Sequence, residues 1–287
     1  MTKITVLANC QAGPLGALLR QANQSVEILN APRVHQLQNG NDQIALDCVK
    51  KAEIVLHQPL SDRFGALETD ELRRSFPEKH FVSFPSIFFG GLFPQLVYLR
   101  LPKGGTLKGP LTDYHDSKIV GSFLNDETVD QCLDRMMTTT PEEIAQYEAA
   151  LSESRRRDLN VDLPIMDVIQ EQLAAEPPLF TFNHPVNAVL WSVAKRTLEL
   201  LDIPVGIDAS QLPKRQYLGG TSAMIPNGIP EYLGVGWRRD HYELDGQLLI
   251  NRELVNSFYE LYAGTENFLE ICQFNKSRFN LAVQIPH

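Results

Sequence analysis

The sequence predicts an α/β protein with a doubly wound, mostly parallel sheet, a helical insertion and a helical C-terminal part. Three observations carry that prediction. Short aliphatic and β-branched runs alternate with helical patterns over the first 84 residues, as parallel strands joined by crossover helices do. From Asn125 to Ala175 the pattern is mostly helical. Strand-like spacing then returns at residue 179, so the helical stretch interrupts one fold instead of opening another. A single α/β domain over 1–287 is therefore expected, with a loop and helical insertion or lid at 103–178 and a loop-rich, helical part at 206–287.

The elements follow in order. The first run starts at Ile4 and breaks at Asn9-Cys10-Gln11; Gly13-Pro14 then opens a helix, where a proline is tolerated because its missing N–H is unbonded in a first turn anyway. Ser25–Leu29 reads as a second strand, Asp42–Lys51 as a second helix, and Ala52–Leu56 as a third strand that ends at His57-Gln58-Pro59. Glu68–Phe76 reads as a helix and His80–Phe84 as a fourth strand. Phe81 to Leu99 lacks charge and is about as long as a membrane span, but Pro85, Gly90, Gly91 and Pro94 would break a spanning helix, so a buried strand and an apolar loop are expected. A helix is expected from Ser117, with further starts at Asp126 or Thr128 and at Thr140-Pro141. Leu179–Phe182 reads as a strand ending in Asn183-His184-Pro185, before a long amphipathic helix over 186–201, and residues 252–272 return to helix.

Composition narrows the function. A hydrophobic fraction of 43% supplies a core, and a net charge of −9 argues against a general nucleic-acid or anionic-membrane surface. Cys10, Cys48, Cys132 and Cys272 are scattered without a CxxC pair, and the start of the chain is too short and too poor in basic residues for a signal peptide, so a reducing cytoplasm is expected. Seven dispersed histidines offer no HxH or HExxH spacing, and no metal site is expected. A second copy of the chain remains a partner that the composition allows.

Cys10, His57 and His184 each follow a predicted strand, at the sheet edge where open parallel sheets bind ligands. With a flavodoxin-type strand order, strands one and three are neighbours and Cys10 stands beside His57. Taken singly, each is an ordinary residue: cysteine is commonly buried, and a strand-end histidine is commonly structural. Together with Asn9, Gln11, Gln58 and Asn183 they supply a nucleophile, a base, and amides to hold an oxyanion or orient a histidine, the parts of acyl transfer. The helix after Cys10 would lower the thiol pKa. Lys103-Gly104-Gly105 to Lys108 could cradle a phosphate through its glycine amides, and Arg155-Arg156-Arg157 could hold a 3′-phosphate, although a surface turn and a solvated helix face are the plainer readings.

Asn9-Cys10-Gln11, His57-Gln58, the Pro85–Pro94 apolar segment, Tyr114-His115-Asp116 and Asn183-His184-Pro185, with the helix carrying Tyr259 and Tyr262, together resemble the WcbI family of polysaccharide biosynthesis proteins. The resemblance implies an O-acyltransferase on an SGNH-hydrolase-like sheet, with acetyl-coenzyme A as donor and a capsular or other surface sugar as acceptor. It puts Cys10 where those hydrolases carry serine. His184 is expected as general base, since an imidazole titrates near neutrality, with Cys10 attacking the thioester or, if no acyl-enzyme forms, lining the site, and Lys103, Lys108, Tyr114, His115, Arg155 and Arg156 are expected toward the donor. Thr181 stands where the aspartate that orients the histidine would be, so either Asp116 or Asp113 completes a triad or there is no triad. A thiol-dependent esterase, a sulfotransferase with a 3′-phosphoadenosine donor, and a non-catalytic sugar- or coenzyme-A-binding protein are the alternatives.

Overall fold

The computed structural model describes residues 1–37 and 41–278. The chain runs β1 (Thr2–Leu7), α1 (Ala12–Ala22), β2 (Val26–Leu29), α2 (Asn41–Lys51), β3 (Ile54–His57), α3 (Thr69–Ser75), β4 (His80–Ser83), β5 (Leu96–Tyr98), β6 (Tyr114–Asp116), α4 (Ser117–Leu124), α5 (Val129–Met137), α6 (Pro141–Asp158), α7 (Met166–Ala175) and β7 (Leu179–Thr181). It continues through β8 (His184–Pro185), α8 (Asn187–Leu200), β9 (Thr221–Ser222), α9 (Gly228–Leu233), β10 (Tyr242–Leu244), β11 (Gln247–Leu249), α10 (Asn251–Gly264) and α11 (Phe268–Phe274). The last nine residues of the predicted C-terminal part, 279–287, lie outside the described residues. No helix among the described residues is long and apolar enough to cross a membrane.

The fold is α/β, and contacts divide the chain into two interleaved units. The first comprises 1–88, 153–174 and 184–218; the second comprises 89–152, 175–183 and the described residues from 219. These boundaries differ from those expected for the insertion: the chain enters the second unit at Phe89, well before 103, and 153–174 belong to the first.

In the first unit a four-stranded parallel sheet has the order β2-β1-β3-β4, the flavodoxin-type neighbourhood expected from the sequence. Leu7 pairs with His57, and His57 with Ser83, so three strands finish level with one another. Leu7 and Val55 join Ala45 and Val49 of α2 and Leu67 and Leu72 in one buried cluster. Side chains alternate along a strand, so His57 points to the same face as Val55. α1 packs against α8 and β1, and Gly16 lets α1 approach β2: a Cβ there would stand 3.0 Å from Ile28 Cγ2.

The second unit is built from short strands and helices. β5 and β6 pair antiparallel, as do β9, β10 and β11. Thr128 caps α5 in a reciprocal box with Gln131, and Thr140 and Glu143 exchange the same pair of bonds at α6, so both predicted helix starts hold. β7 is a correction: it lies outside the four-stranded sheet, so His184 does not follow a strand of that sheet. A three-residue apolar run reads alike whether it continues a parallel sheet or packs elsewhere.

Candidate active site

Cys10 sits between β1 and α1, in a turn closed by its neighbours. Asn9 Oδ1 accepts the Gln11 backbone N–H at 3.0 Å, Ala12 N donates to Asn9 O, and Leu15 N donates to Gln11 O to start the helix. Gln58 Oε1 accepts the Asn9 N–H at 3.1 Å while Gln58 Nε2 donates to Gln11 Oε1 at 2.8 Å. Gln11 Nε2 donates to Ile87 O at 2.9 Å, and Asn9 Nδ2 to Ser86 Oγ at 3.3 Å. Gln11 and Gln58 are buried. The side-chain amides of Asn9, Gln11 and Gln58 are thus engaged with the turn itself, with Ser86 Oγ and with Ile87 O, and in this arrangement they shape the turn.

Cys10 itself is half-buried, and its sulfur lies 3.8 Å from Asn9 Oδ1. Burial pushes its thiol up, with the Arg33 guanidinium and its own backbone N–H pulling the other way. The expected lowering by the helix start is therefore overturned, because desolvation of the thiolate outweighs the favourable field. Arg33 is exposed and follows β2; Val34 N donates to Ala8 O at 3.0 Å, tying that segment beside the turn. The same guanidinium acts on His184, whose pKa is pushed down to about 4 by burial first and by Arg33 second. His184 is neutral at pH 7, the state a proton acceptor needs.

His57 differs. Its ring lies edge-on to Phe81 with centroids 6.0 Å apart, its Nδ1 is 3.2 Å from Gln58 O, and its buried Nε2 has no hydrogen-bond partner among the described residues. Burial pushes its pKa down to about 4, and its charged neighbours are Arg73 and Asp162. Cys10 and His184 share one cation; His57 answers to other charges, Arg73 of α3 and Asp162 after α6.

The remaining predicted residues are engaged elsewhere. In the second unit Tyr114 donates to Asn183 Oδ1 at 2.7 Å, Thr181 bonds both, and Asn183 Nδ2 donates to Tyr98. His115 is buried with both ring nitrogens bonded, Nδ1 to Tyr262 and Nε2 to Leu107 O. Asp116 caps α4 by accepting from Lys118 N at 2.7 Å and accepts the Tyr242 hydroxyl at 2.5 Å, so both of its oxygens are engaged within the second unit. Asp113 is bonded to Thr106 and Lys108. Gly104 donates its N–H to Leu101 O within a turn of two positive-φ glycines, which removes that amide from a phosphate cradle. Arg156 pairs with Glu153 on the surface of α6. Lys103 and Arg155 are exposed.

The profile of the family described as polysaccharide biosynthesis enzyme WcbI matches residues 3–206, well over half of the chain. The chain belongs to the WcbI family. A comparison with curated proteins found no match. The WcbI match runs from β1 past α8 and takes in Cys10, Arg33, His57 and His184. It assigns this chain to polysaccharide biosynthesis enzymes, as the resemblance implied.

Sequence reasoning missed Arg33. It lies in an unpatterned loop, four residues past β2, and its relation to Cys10 follows only once β2 and β1 are known to be adjacent. Its position after a strand of the same sheet was the available signal.

Proposed function

We propose that this WcbI-family chain transfers an acyl group, acetyl in the first instance, from coenzyme A to a hydroxyl of a sugar or oligosaccharide during surface-polysaccharide biosynthesis. The observation that carries the reading is that a half-buried thiol and a neutral histidine, Cys10 and His184, lie under the charge of one exposed cation, Arg33. Burial keeps the Cys10 thiol protonated at neutral pH, so attack requires a base at the moment of reaction. In this reading His184 takes the Cys10 proton as sulfur attacks the thioester carbonyl, and returns it to the departing coenzyme A thiolate. The sugar hydroxyl then gives its proton to His184 as its oxygen attacks the acyl-Cys10 carbonyl, and the Cys10 thiolate that leaves recovers the proton.

Among the residues expected to meet the donor, Lys108 and Arg156 are already neutralised, so exposed Arg33 and Arg155 are the better phosphate contacts in the first unit. A cytoplasmic location fits a free thiol that must stay reduced, and all four cysteines are free.

The test is titration with acetyl-coenzyme A followed by intact-mass analysis and assay on sugar acceptors. An adduct of about 42 Da on Cys10, one acetyl replacing one hydrogen, and its loss on adding acceptor are expected. Binding of a 3′-phosphoadenosine sulfate donor with none of acetyl-coenzyme A would overturn the reading. Turnover of Cys10→Ala within about tenfold of wild type, a loss of roughly 1.4 kcal/mol, would remove Cys10 as obligatory nucleophile.

A further inference from the structure

The 86–88 segment is held from two sides. From one side the Cys10 turn grips it: Asn9 Nδ2 donates to Ser86 Oγ at 3.3 Å, Gln11 Nε2 to Ile87 O at 2.9 Å, and Ile87 N to Gln11 Oε1 at 3.4 Å. From the other side Arg157, near the end of α6, donates Nη1 to Ser86 O at 3.1 Å and Nη2 to Phe88 O at 2.7 Å. Nη2 also donates to Ser154 Oγ at 2.8 Å, and the guanidinium carbon lies 6.0 Å from the centre of the Phe88 ring. All of these residues belong to the first unit.

We propose that Arg157 is a positioning residue for the Cys10 turn, acting through the two carbonyls that its guanidinium fork holds at Ser86 and Phe88. The chemistry of the fork supports this. Its planar N–H groups meet two carbonyls two residues apart, which a lysine ammonium on a flexible stem does not hold in one geometry. The segment it fixes has no regular secondary structure, so its register against Asn9 and Gln11 depends on these bonds. Asn9 and Gln11 flank Cys10, and a shift at Ile87 moves the amide pair that sets the turn. Arg156, one residue earlier, is exposed and pairs with Glu153. The arginine run of α6 therefore contains one buttress among surface charges, whereas a phosphate-binding run would present its guanidinium groups together.

The inference rests on Cys10 being the reactive thiol, so its test reads the thiol directly as well as turnover. Arg157→Met keeps the apolar stem, Arg157→Lys keeps the charge, and Arg156→Gln serves as control. Iodoacetamide labelling of the full chain, followed at the Cys10 and Cys48 peptides across pH, is the first readout. For both Arg157 variants we expect Cys10 to label about fivefold faster with its midpoint moved to lower pH, since a loosened turn admits water to the half-buried thiol. Cys48 labelling and the Arg156→Gln profile should stay at wild-type values. The second readout is the split between kcat and KM: kcat should fall about tenfold or more with KM for acetyl-coenzyme A nearly unchanged, as expected when a reacting group is misplaced. Equal acceleration at Cys10 and Cys48 would show general loosening and overturn the proposal. So would a raised KM with unchanged kcat and labelling, which would make Arg157 a donor ligand, and so would a wild-type profile for Arg157→Lys. If wild type transfers no acetyl group, the functional reading fails while the labelling arm still decides the positioning role.

Discussion

Two polar clusters look alike in sequence and differ in what their hydrogen bonds leave over. In the second unit, the Tyr114-His115-Asp116 strand places its polar groups against protein partners: Tyr114 on Asn183, both nitrogens of His115 on Tyr262 and Leu107, and both oxygens of Asp116 on Lys118 N and Tyr242. His115 and Asp116 are fully buried. In the first unit, the Asn9-Cys10-Gln11 turn bonds its amides just as thoroughly, yet its thiol keeps one weak 3.8 Å contact, partial exposure and a neighbouring cation. A closed network rigidifies, whereas a reactive group needs a scaffold that is closed around it and leaves it open. Residue type does not separate the two clusters; the accounting of donors and acceptors does.

The largest expected effect breaks or confirms that comparison. His184→Ala should cost about 10²–10⁴ in kcat for acetyl transfer, the range removed with a general base. His115→Asn should leave kcat of the folded fraction within about threefold, because His115 is enclosed by Tyr262 and Leu107. Steady-state kinetics on both variants decides the matter: the reverse ranking would move the active centre to the second unit. Next in size is Tyr242→Phe, which removes the hydroxyl donor from fully buried Asp116. A loss of about 2 kcal/mol in urea unfolding is expected, with Cys10 labelling unchanged.

Much of the first unit was legible because parallel strands announce themselves by repetition. Four apolar runs with helices between them gave the sheet, and the turn residues after β1 and β3 gave its carboxyl edge. Helix starts at Thr128 and Thr140 were legible because a capping box is a local bond between residues three apart. What sequence did not give was long-range. β7 has the composition of a sheet strand and lies outside the sheet. Asp116 was expected to orient a histidine, but a carboxylate is claimed by the nearest donors, here Tyr242, which is 126 residues away in sequence. His57 was placed beside Cys10 by strand order alone, and the alternation along β3 turned it toward Val55 and Phe81.

The three histidines with lowered pKa make a smaller prediction. His57, His115 and His184 are each held at about 4 in the folded chain by burial, against an ordinary value of 6.5. Between pH 6.5 and 4 the unfolded chain takes up protons that the folded chain refuses, so stability is present above this window and falls as pH drops through it. Each such histidine adds a slope of about 1.4 kcal/mol per pH unit near the middle of the window. Urea unfolding as a function of pH should therefore lose one such increment in His57→Leu, and again in His115→Asn. An unchanged slope in either variant would show that the histidine is already charged in the folded state.

The smallest effect tests what makes the Cys10 region distinctive, the shared cation. Arg33 pulls the Cys10 pKa down and pushes the His184 pKa down as well. Arg33→Ala should then move both upward: Cys10 labelling shifts to higher pH, and the His184 imidazole, followed by NMR, titrates at higher pH. Because Arg33 is exposed, water and salt screen it, and each shift should stay below about one pH unit. About 1 M salt should reproduce part of both shifts in wild type and add little in the variant, since the Debye length then falls to roughly 3 Å. The direction matters more than the size. Desolvation alone moves a thiol up and an imidazole down, whereas one cation lowers both, so parallel upward shifts on its removal identify charge as the link between the two groups. A shift at Cys10 without one at His184 would leave two independent half-buried residues in place of a site.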